Sequence, residues 1–473
     1  MSRNNILLKI EEKYNLLDES FNGIPIWNII REVLFFECHA VMQSKETGLP
    51  DFQLLSHKDI PYIDEYNEHY LRSESIGNHD VIFITNPRKV MLPTGYYQTI
   101  IDPIYEMISG KNDCIILEEP SYVCEIRNAP QHYKPINDDV YFTDIYEHEC
   151  IDRIKVNSDK VKTISEKVMF YVKRYEDELE IKVSEKICNR LVQRVLFFYF
   201  MEDRITELLQ AVAPKYVMVY FFPSAFKVLF VYVCKKMGIP IFELQHGLVS
   251  EDFPYEHHVL NNNKLQIKSD VYLGFGDLSI YRDDFSHKEE DIINIGFAYL
   301  DRQKSKVENC KSLRKKSEIK KILVISQPII SVELMELCDR IYELVGDNYN
   351  IIYKQHPLDN VETNFRHKDI IVKSNKDSIY DIYPEVDVVF GASSTAMFEA
   401  VYLGIPSVVI EFVEGSKELY PIMKKIHGIS FLKRAEDIGE VLRGIEKPNE
   451  SINKFYTCFS EKKLNDAIDS RIN

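Results

Sequence analysis

Short apolar strands alternate with helical stretches through the second half of the chain, and this alternation most restricts the folds that the chain can adopt. Helical stretches such as Val332 to Val345 carry leucine and isoleucine along one stripe and separate several of the apolar runs. Such alternation indicates parallel β-α-β units. We therefore predict an α/β fold with a doubly wound parallel sheet that binds ligands at the carboxyl ends of its strands. The runs are Val271 to Leu273, Ile292 to Ile295, Ile322 to Ile325, Ile351 to Tyr353, Ile370 to Val372, Val386 to Phe390 and Val408 to Ile410.

The first half contains one clear unit of the same kind. Tyr216 to Tyr220 has the composition of a strand, Ser224 to Met237 that of a helix, and Pro240 to Leu244 that of a second strand. Gly238 marks the end of the helix. This order predicts a parallel pair of strands with a right-handed crossover. Further strands are predicted at Asp80 to Ile84 and Cys114 to Leu117, and helices at Ile24 to Met42 and Tyr97 to Ile108.

A chain of 473 residues is too long for one compact core, and two large domains are the simplest division. The polar, turn-rich stretch Asn261 to Lys268 is the best candidate for a linker. We predict an N-terminal Rossmann-like domain over 1–265 with a helical insertion at about 151–212. A second Rossmann-like domain is predicted over 266–445, followed by a helical tail over 446–473.

The composition excludes several classes of protein. Hydrophobic residues at 45% and charged residues at 28% are ordinary for a soluble globular protein. A net charge of -16 argues against a nucleic-acid partner, because phosphate backbones require a clustered positive field. No apolar stretch approaches the ~18 residues that cross a bilayer. We expect a cytoplasmic protein, with peripheral attachment to a membrane left open.

The segment VDVVFGASSTAMFEAVYLGIPSVVI, which begins at Val386, is the strongest candidate for a binding site. A strand runs into Gly391, and Ser393, Ser394 and Thr395 then stand at the start of a helix. The first N–H groups of a helix lack partners within the helix and its dipole favours negative charge, so this start can bind a phosphate. The alternative is that one serine only caps the helix.

Two further positions could complete this binding site. In IIYKQHP a strand runs directly into Lys354, His356 and Pro357, and the proline keeps the histidine in an extended turn at the strand end. The lysine and the histidine could donate to a phosphate oxygen, although a lone HP pair also occurs in ordinary loops. Glu399, about one turn into the helix, could bond a ribose hydroxyl or simply face solvent.

A third segment, IFELQHGLVSED, begins at Ile241 and places His246 after a strand of the first half. The following Gly247 permits close backbone approach or a positive φ. His246 is our first candidate for a general base, because imidazole accepts a proton near neutral pH. Glu251 or Asp252 could orient it or act as the base instead. A histidine bonded only to a neighbouring loop is the alternative.

The order of these motifs resembles that of bacterial capsule and lipopolysaccharide glycosyltransferases. The residues that carry the resemblance are QHG at Gln245 to Gly247, HP at His356 and Pro357, and SST with FEA and LGIP over Ser393 to Pro406. The likeness is strongest to capsule polysaccharide biosynthesis proteins that include Kdo transferases. It is looser to bacterial sialyltransferases and to glycerophosphotransferases of teichoic acid synthesis. It covers roughly Val217 to Ile410.

The resemblance implies a GT-B fold, in which two Rossmann-like domains face a central cleft. It assigns His356, Ser393, Ser394 and Thr395 to the nucleotide of the donor, with a CMP-linked sugar favoured. It also implies a metal-independent reaction with no cofactor beyond the nucleotide-sugar cosubstrate, and the sequence has no obvious DxD cluster or CxxC pair. The acceptor would be an oligosaccharide or a lipid-linked saccharide. This protein could associate peripherally with the inner membrane to reach it.

No motif locates the catalytic carboxylate, which leaves Glu118 and Glu119 as possible acids after a predicted strand. A CDP-polyol phosphotransferase of teichoic-acid-like polymer synthesis would have the same fold and a similar phosphate site. A noncatalytic partner that binds sugar nucleotides is a third hypothesis. A nonhydrolysing sugar-nucleotide epimerase is disfavoured, because Ser-Ser-Thr stands where we expect a glycine pair.

Overall fold

The computed structural model describes most of the chain in fifteen stretches. They are residues 3–47, 76–85, 90–92, 95–118, 140–142, 145–220, 224–249, 259–260, 264–277, 285–313, 320–327, 330–356, 361–392, 394–413 and 419–472.

Helices account for much of the described chain. They are α1 (Arg3–Lys13), α2 (Ile26–Thr47), α3 (Ile101–Ile108), α4 (Ile145–Lys155), α5 (Ser158–Leu179), α6 (Glu185–Val212), α7 (Ala225–Met237), α8 (Ala298–Leu313), α9 (Ser331–Val345), α10 (Ile379–Ile382), α11 (Thr395–Tyr402), α12 (Tyr420–Met423), α13 (Ile438–Gly444) and α14 (Glu461–Ile472). Short 3-10 turns include Tyr383–Glu385 and Glu450–Lys454.

The strands form two large sheets and one hairpin. They are β1 (Val81–Thr85), β2 (Val90–Leu92), β3 (Gly95–Tyr97), β4 (Cys114–Glu118), β5 (Val140–Phe142), β6 (Tyr216–Tyr220), β7 (Ile241–Leu244), β8 (Val271–Gly274), β9 (Ile292–Asn294), β10 (Lys320–Ile325), β11 (Tyr349–Lys354), β12 (Ile371–Lys373), β13 (Val388–Gly391), β14 (Ser407–Ile410) and β15 (Ile429–Leu432). The hairpin pairs β2 with β3.

The chain divides into two compact units, and each has its own sheet. The first comprises Met1–Gly274, Leu278–Ile293 and Glu461–Asn473, and the second comprises Phe275–Asp277 and Asn294–Ser460.

The sheet of the first unit has the strand order β5-β4-β1-β6-β7-β8-β9, and the strands from β5 to β8 pair in parallel. Along the chain, β1, β4 and β5 are added toward one edge of the sheet, and β6, β7, β8 and β9 are added toward the other edge. The sheet therefore reverses direction between β1 and β6. In doubly wound sheets, ligands bind outside the carboxyl ends of the strands at this reversal.

Helices cover one face of the first sheet with a large apolar core. Alternate strand residues, including Ile82, Ile84, Val217 and Val219, belong to this core, as the two-residue period of a strand requires. The apolar stripes of α1, α2, α5, α6 and α7 supply most of the rest. The helices α5 and α6 lie in the region predicted as a helical insertion, and they share one core with the N-terminal helices.

The sheet of the second unit has the order β12-β11-β10-β13-β14-β15, and every pairing is parallel. When its strands are numbered along the chain, this is the Rossmann order 3-2-1-4-5-6. The reversal lies between β10 and β13. The helices α9 and α13 cover one face through Leu334, Leu337, Ile341 and Ile438.

The prediction of an α/β chain with two Rossmann-like sheets is confirmed. Two details of the prediction are wrong. The runs at Val271 and Ile292 were expected to open the second sheet, but β8 and β9 extend the first sheet instead. The helix expected from Tyr97 begins at Ile101, because Tyr97 pairs with Val90 in the hairpin.

The two units also divide the chain differently from the predicted ranges. The first unit continues past residue 265 to Ile293, and α14, within the predicted tail, returns to it. An ion pair between Arg471 and Asp291 fastens that helix within the first unit. Among the described residues, no helix combines the length and the apolar character needed to cross a membrane.

Candidate functional site

The carboxyl edge of the second sheet collects the polar residues expected to bind a donor. The strands β11, β10 and β13 are neighbours there, so Lys354, Ser326 and Gly391 mark three adjacent strand ends. The reversal of the sheet lies between Ser326 and the turn after Gly391. The chain at 354–356 and at 391–392 therefore leads away from the same edge of the same sheet.

The start of α11 has the geometry of a capped helix. Ser394 is the N-cap residue with an extended backbone, and its Oγ accepts a hydrogen bond from the Ala396 N–H at 3.3 Å. Its carbonyl oxygen accepts from the Met397 N–H at 3.1 Å. Thr395 is the exposed first residue of the helix. The capping role that was weighed for the serines is thus observed for Ser394, and phosphate binding stays a prediction.

Gly391 lets α11 begin close to the end of β13. A Cβ at this position would stand 3.1 Å from the Met397 Sδ atom, closer than ordinary contact. The Met397 side chain is fully buried, so it has little room to retreat. The absence of a side chain at Gly391 thereby sets how near the helix start approaches the strand end.

The end of β11 is fixed by hydrogen bonds to its neighbours. The Ser326 N–H donates to the Lys354 carbonyl oxygen at 2.9 Å, and the Tyr353 hydroxyl donates to the Ser326 Oγ at 2.8 Å. The Lys354 side chain is buried, and its Nζ donates to the Gln355 carbonyl oxygen at 2.6 Å. His356 follows and is partly buried.

Glu399 lies among tyrosines instead of facing solvent. The hydroxyl groups of Tyr380, Tyr383 and Tyr456 are within electrostatic reach of its carboxylate. The removal of water raises the pKa of Glu399 to about 7, against a smaller lowering by the nearby Tyr380 hydroxyl. A carboxyl group with such a pKa on the helix that starts at the carboxyl edge of the second sheet is a candidate functional group.

The carboxyl edge of the first sheet contains His246. The imidazole is partly buried and meets the Tyr220 ring edge-on, with centroids 6.0 Å apart. The Lys227 ammonium lies 5.5 Å from the centroid of the same ring, and its side chain is 2% exposed. Tyr220 ends β6, so this aromatic group marks the reversal of the first sheet. Glu118 ends β4 on the same edge and is buried.

The turn after β7 is stabilised by a side chain. The Gln245 backbone N–H donates to the Leu273 carbonyl oxygen at 3.1 Å, and its Nε2 donates to the Gly247 carbonyl oxygen at 2.6 Å. Gly247 does not have a positive φ, and a Cβ there would meet no described atom within 4 Å. The structure therefore does not use this glycine for a positive φ, and a close approach to a ligand stays a prediction.

Five predicted site residues lie outside the described residues: Glu119, Glu251, Asp252, Pro357 and Ser393. In the described part of the chain, no group of three or more His, Cys, Asp or Glu side chains is arranged to hold a metal ion. Three further residues at these two edges, Ser326, Tyr220 and Lys227, were not predicted from the sequence as site residues. The only signal for Ser326 and Tyr220 was their position at the end of a predicted strand, and Lys227 had no such signal.

Comparison with known proteins identifies the fold. No family model matches the chain, and the curated proteins contain no match. Among solved structures, the UDP-GlcNAc 2-epimerase of Methanocaldococcus jannaschii has a TM-score of 0.50 and 13% identity, over 82% of this chain and 99% of that one. A variant of the wall teichoic acid polymerase TagF, with one histidine replaced by asparagine, has a TM-score of 0.48 and 13% identity, over 85% and 90%. The likeness to the epimerase shows that the chain has the GT-B fold.

Proposed function

We propose that this protein is a glycosyltransferase that uses a nucleotide-activated sugar to extend a bacterial surface polysaccharide. The observation that carries the proposal is the edge of the second sheet, where the start of α11, Lys354 and His356 lie beside the strand reversal. A GT-B chain resembling an epimerase of UDP-GlcNAc is consistent with a nucleotide-sugar ligand. A CMP-linked donor is favoured by the sequence motifs.

Each residue at this edge has a role that its chemistry permits. The helix start and the Thr395 hydroxyl would bind phosphate oxygens. The N–H groups of the helix start and the hydroxyl are hydrogen-bond donors, and they lie at the positive end of the helix dipole. His356 would donate to the same phosphate and stabilise it as the sugar departs. Glu399 would accept hydrogen bonds from ribose hydroxyls. Ser393 and Pro357 complete the motifs.

The first unit would bind the acceptor, an oligosaccharide or a lipid-linked saccharide. His246 is the proposed general base, since the Tyr220 ring restricts one side of the imidazole and leaves it partly exposed. Glu251, Asp252 and Glu119 are the alternative bases. The site is proposed to work without a metal ion, with the helix start and side chains neutralising the leaving phosphate.

A nucleotide panel tests the donor half of this proposal. CMP, CDP, UDP, GDP and ADP are added without metal, and the melting temperature and Kd are measured. His356→Ala should weaken the tightest ligand by about ten- to a hundredfold, as expected for the loss of a hydrogen bond to a charged group. His427→Ala is the matched control, because His427 is exposed and bonds Glu446 at 2.9 Å.

Two serine variants separate binding from helix stability. Ser394→Ala removes the cap of α11, and Ser184→Ala removes the cap of α6, whose Oγ accepts from the Ile187 N–H at 3.4 Å. Each should cost about 1 kcal/mol of stability. Only Ser394→Ala should weaken nucleotide binding. Equal affinities in the two variants would remove the phosphate role from this helix start.

Product analysis tests the reaction class. Incubation with donor and acceptor should form a glycosidic bond and release the nucleotide, and His246→Ala should lower kcat by about 10²- to 10⁴-fold. A phosphodiester product would instead establish polyol phosphate transfer. Epimerisation of UDP-GlcNAc without acceptor would instead establish a 2-epimerase activity, like that of the structural neighbour. Nucleotide binding without any turnover would favour the noncatalytic hypothesis.

A further inference from the structure

In both units, a glutamine stands between a strand end and a candidate histidine. Gln245 follows β7 and precedes His246, and Gln355 follows β11 and precedes His356. The strand β7 adjoins β6, and β11 adjoins β10, so each lies next to one of the two strands between which its sheet reverses. Each glutamine is therefore close to the place where a doubly wound sheet binds ligands.

The backbone of each glutamine continues the pairing of its strand. The Gln245 N–H donates to the Leu273 carbonyl oxygen on β8 at 3.1 Å, and the Gln355 N–H donates to the Lys373 carbonyl oxygen on β12 at 3.0 Å. Glu411, which follows β14, donates to β15 in the same way at 2.9 Å. The backbone bond is thus a shared feature of these strand ends, and it fixes where the chain leaves the sheet.

The side chain of each glutamine adds a second bond beyond the histidine. The Gln245 Nε2 donates to the Gly247 carbonyl oxygen at 2.6 Å, and the Gln355 Nε2 donates to the Val361 carbonyl oxygen at 3.0 Å. Each bond connects the residue before the histidine to a carbonyl oxygen after it, so the backbone of the histidine lies within a closed ring. The corresponding residue after β14 is a glutamate, whose side chain has no N–H to donate.

The two rings differ in length. The first spans His246 alone, whereas the second spans the five positions 356–360. A proline follows His356 in the sequence, and the residue before a proline is disfavoured in helical geometry. The backbone of His356 is therefore restricted by its neighbour as well as by the longer ring.

We propose that Gln245 and Gln355 are positioning residues, whose side-chain amides hold His246 and His356 at the carboxyl edges of their sheets. The importance of this positioning for ligands rests on the proposed function. The bond requires both the length of glutamine and its N–H donor, because glutamate lacks the donor and asparagine is shorter. Without the bond, the backbone around each histidine gains conformational freedom that a bound ligand must remove again, which weakens binding.

Chemical labelling tests the positioning without any ligand. Diethyl pyrocarbonate acylates accessible histidine side chains, and mass spectrometry measures the rate at each one. Gln355→Met keeps the length of the side chain and removes its donor, so it should raise the rate at His356 about three- to tenfold and leave the rate at His246 unchanged. Gln245→Met should do the reverse. The exposed His427 is the internal control.

A matched substitution elsewhere controls for the loss of a side-chain donor. Asn112→Leu removes the bond from the Asn112 Nδ2 to the Ile108 carbonyl oxygen at 3.1 Å, and it should change neither rate. Equal rises at every histidine in the glutamine variants would show that the whole fold had loosened. Unchanged rates would show that the two bonds do not hold the histidines. Either result would overturn the proposal.

Nucleotide affinity tests the consequence for the donor site. The Kd of the tightest ligand among CMP, CDP, UDP, GDP and ADP is measured by titration calorimetry. Gln355→Met should weaken it about three- to tenfold, and Gln245→Met should leave it unchanged. In the His356→Ala background, adding Gln355→Met should cause no further loss, because the glutamine acts through the histidine.

Two results would overturn the role of Gln355 at the donor site. They are a loss of the same size in Gln245→Met, and an undiminished effect of Gln355→Met in the His356→Ala background. If none of the five nucleotides binds the wild type, the proposed donor site fails, whereas the labelling rates still decide whether the glutamines position the histidines.

Discussion

The Tyr383 hydroxyl donates a hydrogen bond of 2.7 Å to the backbone carbonyl oxygen of Ala396. This bond connects the turn that precedes β13 to the first turn of α11, which follows the same strand. Tyr383 is fully buried and Ala396 is partly buried, so the bond is largely shielded from water. The helix start at the proposed phosphate site is therefore connected to β13 in two ways. The chain joins it to the end of the strand, and the Tyr383 bond joins it to the turn before the strand.

Removal of this hydroxyl should destabilise the fold. Tyr383→Phe deletes a donor from a partly buried carbonyl oxygen, which costs about 1–2 kcal/mol of the free energy of unfolding. Urea denaturation measures the change. Tyr342→Phe, whose hydroxyl bonds Asp369 on the surface, should leave the free energy of unfolding unchanged. Equal effects of the two substitutions would contradict the role assigned to the Ala396 bond.

Glu399 should make the protein less stable as the pH rises. Its carboxyl group has an ordinary pKa of 4.5 in the unfolded chain and a pKa of about 7 in the fold. Its stabilising contribution is therefore fully present below pH 4.5 and is lost as the pH rises through about 7. One pKa unit corresponds to about 1.4 kcal/mol, so the change is about 3 kcal/mol at most for this partly buried group.

Glu399→Gln isolates this effect, because the amide keeps the shape of the side chain and does not titrate. The variant should gain stability relative to the wild type between pH 5 and pH 8. Urea denaturation at several pH values provides the difference. A difference that stays constant across this range would show that Glu399 does not titrate there.

A buried ion pair stabilises the N-terminal helices. The Arg31 Nε donates to the Glu11 Oε2 at 2.6 Å, and the Trp27 Nε1 donates to the same oxygen at 2.7 Å. Arg31→Met leaves a buried carboxylate without its counter-charge and should cost about 3–5 kcal/mol. Calorimetric unfolding measures this loss.

The exposed pair of Lys13 with Glu178 at 2.6 Å offers the matched control. Lys13→Met should have almost no effect, because solvent already screens that pair. Similar destabilisation by Arg31→Met and Lys13→Met would contradict the assignment of the Glu11 pair to the core.

Local sequence patterns predicted the sheet elements well where a strand and its turn lie next to each other in the chain. Tyr216 to Tyr220 forms the predicted strand, and Ser224 caps the helix after it. The same holds for the start of α11, where Gly391 and Ser394 occupy the predicted turn and cap. Periodicity and capping are local properties, so they can be read without the fold.

Tertiary arrangement explains what the sequence did not reveal. A short β-branched run such as Val271 to Gly274 carries no information about the sheet that it joins, so β8 was expected in the second sheet. The environment of Glu399 is a similar case. Its tyrosines lie at positions 299, 380, 383 and 456, and no local pattern connects them.

Hydrogen–deuterium exchange with and without bound nucleotide tests the central claim most directly. The claim is that a nucleotide binds at the carboxyl edge of the second sheet. With the tightest ligand of the five-nucleotide panel at saturation, we predict slowed exchange at 354–356 and 394–399, because bound phosphate and ribose would protect these backbone amides. Saturating nucleotide that leaves both segments unchanged and protects only the first unit would contradict the account.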